Sequence, residues 1–195
     1  MANKINLAVF ISGRGSNMQS LIDACRDPDF PARVEVVLSN KPDALGLTVA
    51  EESGIPTLIV SHKDYDTKAD FEAAMIEALS HYEFDLICLA GFMRVLSADF
   101  IDHYQGRIIN IHPSLLPDYK GLDTHARALA DRKTEAGCTV HYVTPDIDSG
   151  EIIVQKSVPI KPDDTAETLA KRVLEQEHAA YPEAIKMIAG TYKSR

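Results

Sequence analysis

Asn110 and His112 are separated by one residue at the end of the apolar run Arg107 to Ile111. Residues i and i+2 of a strand point to the same face, so a strand here projects an amide and an imidazole together. One donates hydrogen bonds and the other titrates near neutrality. The pair suits an acyl-type transfer, in which an oxyanion develops and protons move between nucleophile and leaving group. Taken alone it fits equally a strand end with a solvated histidine. Asp148, in Asp146-Ile147-Asp148-Ser149-Gly150, is the carboxylate able to fold back and favour a protonated His112. By itself, an aspartate in such a run fits a plain turn.

No residue is set up for covalent catalysis. Ser114 follows a proline without a nucleophile elbow, and Cys88 falls inside an apolar strand. The seven histidines include no H-E-x-x-H or other tight ligand pair. Direct transfer without a metal is the simpler expectation. A second device lies near the N-terminus, where Ser12-Gly13-Arg14-Gly15-Ser16-Asn17 joins an apolar strand to a helical pattern. Such a loop offers backbone N–H groups to a phosphate. Dinucleotide binding fails twice: Met18 replaces the third glycine, and Ser39-Asn40 stands where an acid would hold a ribose. A P-loop fails for want of Gly-Lys-Ser/Thr. The competing structural account makes Ser16 and Gln19 a capping box.

The elements that position these residues alternate. Strands are expected at Ile5–Ile11, Val34–Leu38, Thr57–Val60, Asp85–Ala90 and Arg107–Ile111, with helices from Met18, over Ala44–Ser53, Thr67–His81, Ser97–His103 and Thr124–Arg132. That order specifies an α/β class: a doubly wound, mostly parallel, Rossmann-like sheet. Cys138–Val143 and Glu151–Val158 read as a long-looped antiparallel pair. A C-terminal helix follows, capped by Asp164 with Glu167.

At 195 residues, roughly 70% of the unfolded surface can be buried, so one domain with one substantial core is expected. No repeat or linker divides it. Twenty Lys+Arg against 29 Asp+Glu, a formal charge of -9, opposes a nucleic-acid partner. The longest apolar run, Leu86 to Met93, is too short to span a membrane. With no signal-peptide core and three scattered cysteines, Cys25, Cys88 and Cys138, a reduced cytoplasmic protein is expected, as monomer or homodimer.

Four segments carry a resemblance: Ile11 to Asn17, Leu89 to Leu96, Asn110 to Pro117 (Asn-Ile-His-Pro-Ser-Leu-Leu-Pro), and the loop ending Asp146 to Gly150. From about Ile5 to Ile188 the chain resembles the folate-dependent formyltransferases, and its glycine loop resembles their phosphoribosylglycinamide branch. The resemblance implies transfer of a formyl group from 10-formyltetrahydrofolate, as co-substrate, to 5-phosphoribosylglycinamide in purine synthesis. It implies that residues 1–100 form a phosphate-binding half and 101–195 a catalytic and folate-binding half. Gly15, Ser16 and Asn17 would hold the phosphate, with Leu174, Glu175, Gln176 and Glu177 facing the ribose. The folate would lie between Met93, Arg94, Val95 and Leu96 on one side and Thr144, Pro145, Asp146, Ile147 and Asp148 on the other, with Asn110 beside it and Lys68 near its glutamate tail. Asn110, His112 and Asp148 would be the catalytic set. Two positions depart from the pattern: Asp123 replaces a histidine, leaving it a helix-capping role, and Lys68 stands where relatives carry arginine. A hydrolase of the folate and a tRNA-formylating enzyme share this core, but both are expected to bring an extra domain. A non-catalytic phosphometabolite binder would leave the strand-end trio without a purpose.

Overall fold

Alternate residues of β1 (Ile5–Ile11) divide between two apolar clusters: Leu7, Val9 and Ile11 enter one, Ala8 and Phe10 the other. β4 (Leu86–Leu89) divides likewise, with Leu86 and Cys88 on one side and Ile87 and Leu89 on the other. Period-2 alternation within an unbroken apolar run is what a strand covered on both faces requires. The single core expected from length is therefore split by the sheet. The computed structural model describes residues 4–192.

β2 (Ala32–Ser39), β3 (Thr57–Ile59) and β5 (Ile108–His112) complete a parallel block, and β6 (Glu135–Tyr142) and β7 (Ile152–Pro159) extend it antiparallel, in the order β3-β2-β1-β4-β5-β6-β7. Met18, Leu21 and Ile22 of α1 (Ser16–Cys25) pack on one face with α6 (Ala166–Tyr192). Phe71, Met75 and Leu79 of α3 (Lys68–Leu79) and Phe100 of α4 (Ala98–His103) cover the other. α2 (Leu45–Glu52) and α5 (Thr124–Ala130) complete the set. The chain winds from β1 outward to β3, then crosses to β4 on the far side of β1. The switch point thus lies at the carboxyl ends of β1 and β4, where open α/β sheets bind ligands.

β6 begins three residues before the expected start, because Glu135, Ala136 and Gly137 pair with Pro159, Val158 and Ser157 of β7. Tertiary pairing there overrides weak strand propensity. The cap of α6 is displaced by one residue from Asp164 and Glu167. Thr165 Oγ1 accepts from Thr168 N at 3.2 Å, and Thr168 Oγ1 accepts from Thr165 N at 2.9 Å. Asp164 instead takes two bonds from Arg172, at 2.9 and 2.6 Å, and Glu167 pairs with Lys171. In mid-helix, the fully buried Tyr181 donates its hydroxyl to Leu89 O at 2.9 Å, with Ile109 O at 3.4 Å. That phenol ties α6 to β4 and β5 together.

Candidate active site

The turn out of β1 is built on Gly15, which occupies the N-cap of α1 at φ 72°. That backbone region favours glycine. A Cβ there would also stand 3.0 Å from Gly46 Cα, so the loop rests against the start of α2. Ser16 is therefore the first helical residue, and the Ser16–Gln19 capping box does not form; no side chain caps this helix. Its first-turn N–H groups lack intrahelical partners and lie at the positive end of the helix dipole. Ser12 secures the loop from the other side, donating to Asn40 Oδ1 at 2.5 Å and accepting from Met93 N at 2.8 Å. The exits of β1, β2 and β4 are thereby stitched together.

Asn17 and Glu177 meet across this end of the site. Asn17 Nδ2 donates to Glu177 Oε2 at 2.6 Å, and both residues are buried. Burial pushes the Glu177 carboxyl above its usual range, against the opposing effect of the Asn17 bond. Asn17 Oδ1 is buried with no hydrogen-bond partner among the described residues, an acceptor suited to a hydroxyl or amine of a ligand.

At the exit of β5, His112 is buried rather than solvated, with 6% exposure. Its Nδ1 lies 3.4 Å from Asp148 Oδ2, and its Nε2 lies 2.9 Å from Tyr119 O. Asp148 has folded back as expected, held at φ 48°, so it is no plain turn residue. Its Oδ2 also accepts from Gly121 N at 2.9 Å, and its Oδ1 lies 3.5 Å from His141 Nε2. Burial raises its pKa, but the His141 and Gly121 hydrogen bonds and the two imidazoles outweigh that, and the carboxyl lies below its ordinary value. Asn110 Nδ2 lies 3.4 Å from His141 Nε2. Asn110 and His112 share one face, but both His112 nitrogens are engaged by protein groups. For His112 to donate into the cleft, Tyr119 O must give up its place.

These groups line one cleft of about 800 Å³. Asn17 and Glu177 line it, as do Met93 to Leu96, Asn110, His112, Thr144, Pro145, Ile147 and Asp148. The exposed side chains of Met93, Val95, Leu122 and Ile147 give it apolar walls. Of the other anticipated residues, Gly15, Ser16, Leu174, Glu175, Gln176 and Asp146 lie outside the lining; Gly15 and Ser16 adjoin it through Asn17, at the start of α1. Lys68 is also outside it, 3.9 Å from Glu72 on its own helix. Asp123 sits at the N-cap of α5 at φ 56° but makes no side-chain cap, so the capping role expected for it is not realised; it lines the cleft instead.

The formyl transferase family profile matches residues 5–185. The chain belongs to the formyl transferase family. It is 44% identical over 185 residues to phosphoribosylglycinamide formyltransferase of Escherichia coli, covering 95% of this chain and 87% of that protein. A crystal structure of phosphoribosylglycinamide formyltransferase from Brucella melitensis superposes with a TM-score of 0.92 at 50% identity, over 96% of each chain. Identity to the trifunctional purine biosynthetic protein adenosine-3 of Homo sapiens is 46% over 186 residues. The chain spans under a fifth of the length of that relative.

Within this formyl transferase fold, the residue that sequence reasoning missed is His141. It lay inside an anticipated strand, but nothing local set it apart; only the register that places it opposite Asn110 does so. Tyr119 and Gly121 were likewise hidden in a loop. Glu177 yields a direct test. Because its folded-state pKa is raised, its contribution to stability is fully present below the unfolded value of 4.5 and is lost as pH rises through the higher folded value. Urea titrations across that window should show wild-type stability falling with pH relative to Glu177→Gln, which keeps the Asn17 bond. Parallel curves would remove Glu177 as the source.

Proposed function

We propose that this chain transfers the formyl group of 10-formyltetrahydrofolate to the amine of 5-phosphoribosylglycinamide, giving formylglycinamide ribonucleotide and tetrahydrofolate in purine biosynthesis. The observation that carries this is the single cleft in which Asn110, His112 and Asp148 converge between an apolar wall and the start of α1. A flat pteridine fits the apolar wall formed by Met93, Val95 and Ile147, and Arg94 offers charge to its anionic tail. The N–H groups of Ser16 and Asn17 suit a phosphate ester, with Glu177 facing the sugar.

The amine, deprotonated, attacks the formyl carbon; the bond from that carbon to N10 breaks, and the proton lost by the amine reaches the departing N10. Asn110 donates to the oxyanion that develops on the formyl oxygen. A developing anion is a stronger acceptor than a neutral carbonyl. His112 therefore exchanges Tyr119 O for that oxygen as charge accumulates, while Asp148 holds the imidazole in its protonated form. The proton passes through His112 or an ordered water.

Absorbance assays of the folate, with and without glycinamide ribonucleotide, test the proposal. Turnover that requires the amine is expected. Turnover without it would make the chain a hydrolase, and saturable binding without turnover would make it a binding module.

A further inference from the structure

Residues 90–97 join β4 to α4 without forming a helix or a strand, and Gly91 to Leu96 line the cleft. A wall of that kind has no ladder of its own to hold its shape. Phe92 and Leu96 are buried in the cluster that holds Phe71 and Met75 of α3, while Met93 and Val95 are 61% and 59% exposed on the cleft side. The polar anchors come from other elements. At one end Met93 N donates to Ser12 Oγ at 2.8 Å. At the other end the anchor is Glu72, a residue that the chemistry described above does not use.

Glu72 lies in α3 and is 5% exposed. A buried carboxylate requires partners. Ser97 supplies two: its N–H donates to Glu72 Oε1 at 2.8 Å, and its hydroxyl donates to Oε2. The same hydroxyl oxygen accepts from Phe100 N at 3.1 Å and caps α4. Lys68 Nζ stands 3.9 Å from Oε1 and is 44% exposed, so it adds little to that hold. Because Ser97 directly follows Leu96, the carboxylate fixes the end of the wall from behind. Two donors converge on it, and a carboxylate offers an acceptor to each; an amide in its place offers one oxygen and a competing NH₂ group.

We propose that Glu72 is a positioning residue for the folate: through its forked bond to Ser97 it sets the course of residues 93–96, and with it the apolar face that Met93 and Val95 present to the pteridine. This rests on the function proposed above. Glu72 is not among the residues that line the cleft, and it acts through Ser97.

Glu72→Gln keeps length and shape and removes one acceptor. The folate KM should rise about 5- to 20-fold, part of the worth of a hydrogen bond to a charged group, with the ribonucleotide KM and kcat held within about twofold. A variant that merely folds less well loses kcat in proportion and leaves both KM values alone. In a Ser97→Ala background only the backbone N–H remains for residue 72 to accept from, one oxygen suffices, and the same change should cost under about twofold. An unchanged folate KM, an equal rise in the ribonucleotide KM, or an equal cost in both backgrounds would each defeat the proposal. Amide hydrogen exchange gives a readout independent of turnover: Glu72→Gln should speed exchange in residues 93–97 by about 10-fold while the amides of β4 and β5 match the wild type. No change in that segment would overturn the inference whatever the chain catalyses. An inactive wild type together with the expected exchange difference would overturn the proposed function and leave Glu72 as the anchor of the wall.

Discussion

Asp148→Asn should slow formyl transfer by about 100- to 10,000-fold, the range spanned by positioned acid–base groups. The substitution is close to isosteric, and the contacts around Asp148 allow it. Its Oδ2 accepts from Gly121 N, a role that an asparagine oxygen fills. Its Oδ1 faces His141 Nε2, and once the charge is gone a neutral imidazole protonated only at Nδ1 can accept there from an asparagine Nδ2. What disappears is the negative charge 3.4 Å from His112 Nδ1. A measured loss therefore reports that charge and not a collapsed loop. Stability offers a second readout. The Asp148 carboxyl lies below its ordinary value of 3.8, so its stabilising contribution is present above 3.8 and is lost as pH falls through the lower folded value. Asp148→Asn should lack that acid-side decline. Near-normal kcat in a folded variant would remove Asp148 from the chemistry.

Asn110→Ala should lower kcat by about 100- to 1,000-fold, as removal of one oxyanion donor does elsewhere. Asn110 is partly buried near the end of β5, and among the described residues its side chain makes one long polar contact, to His141. Little folding energy depends on it, so the variant should unfold at nearly the wild-type midpoint. The loss should appear in kcat rather than in KM, because the interaction strengthens only as charge develops. A rise in the folate KM at constant kcat would make Asn110 a binding contact instead.

Much of this arrangement can be read from local pattern. The apolar run at Ile5 to Ile11 and the glycine loop after it specify strand, turn and helix through nearest-neighbour sterics alone. The i, i+2 spacing of Asn110 and His112 is a property of one strand, so their shared face was accessible. Asp148 was accessible through its composition-rich turn. The strand pairing that brings His141 opposite Asn110 joins positions 31 residues apart, and no local periodicity encodes that register. Helix starts were misjudged for a related reason. Ser16 and Asp164 have the right residue type for caps, yet Gly15 takes the first place through contact with Gly46, and Arg172 draws Asp164 away. In both cases a partner distant in sequence decides between two locally acceptable arrangements.

Glu177 and Tyr181 stand four residues apart on α6, so they project from nearly the same side of the helix. One reaches into the cleft, while the other is anchored to the carbonyls of β4 and β5. The phenol thus works as a rotational index, setting the angle at which the carboxyl meets Asn17. Inserting one residue between them would turn the two groups about 100° out of phase, and either the anchor or the carboxyl would lose its partner. Changes of chain length in this turn of α6 should therefore be far less tolerated than substitutions on its solvent side.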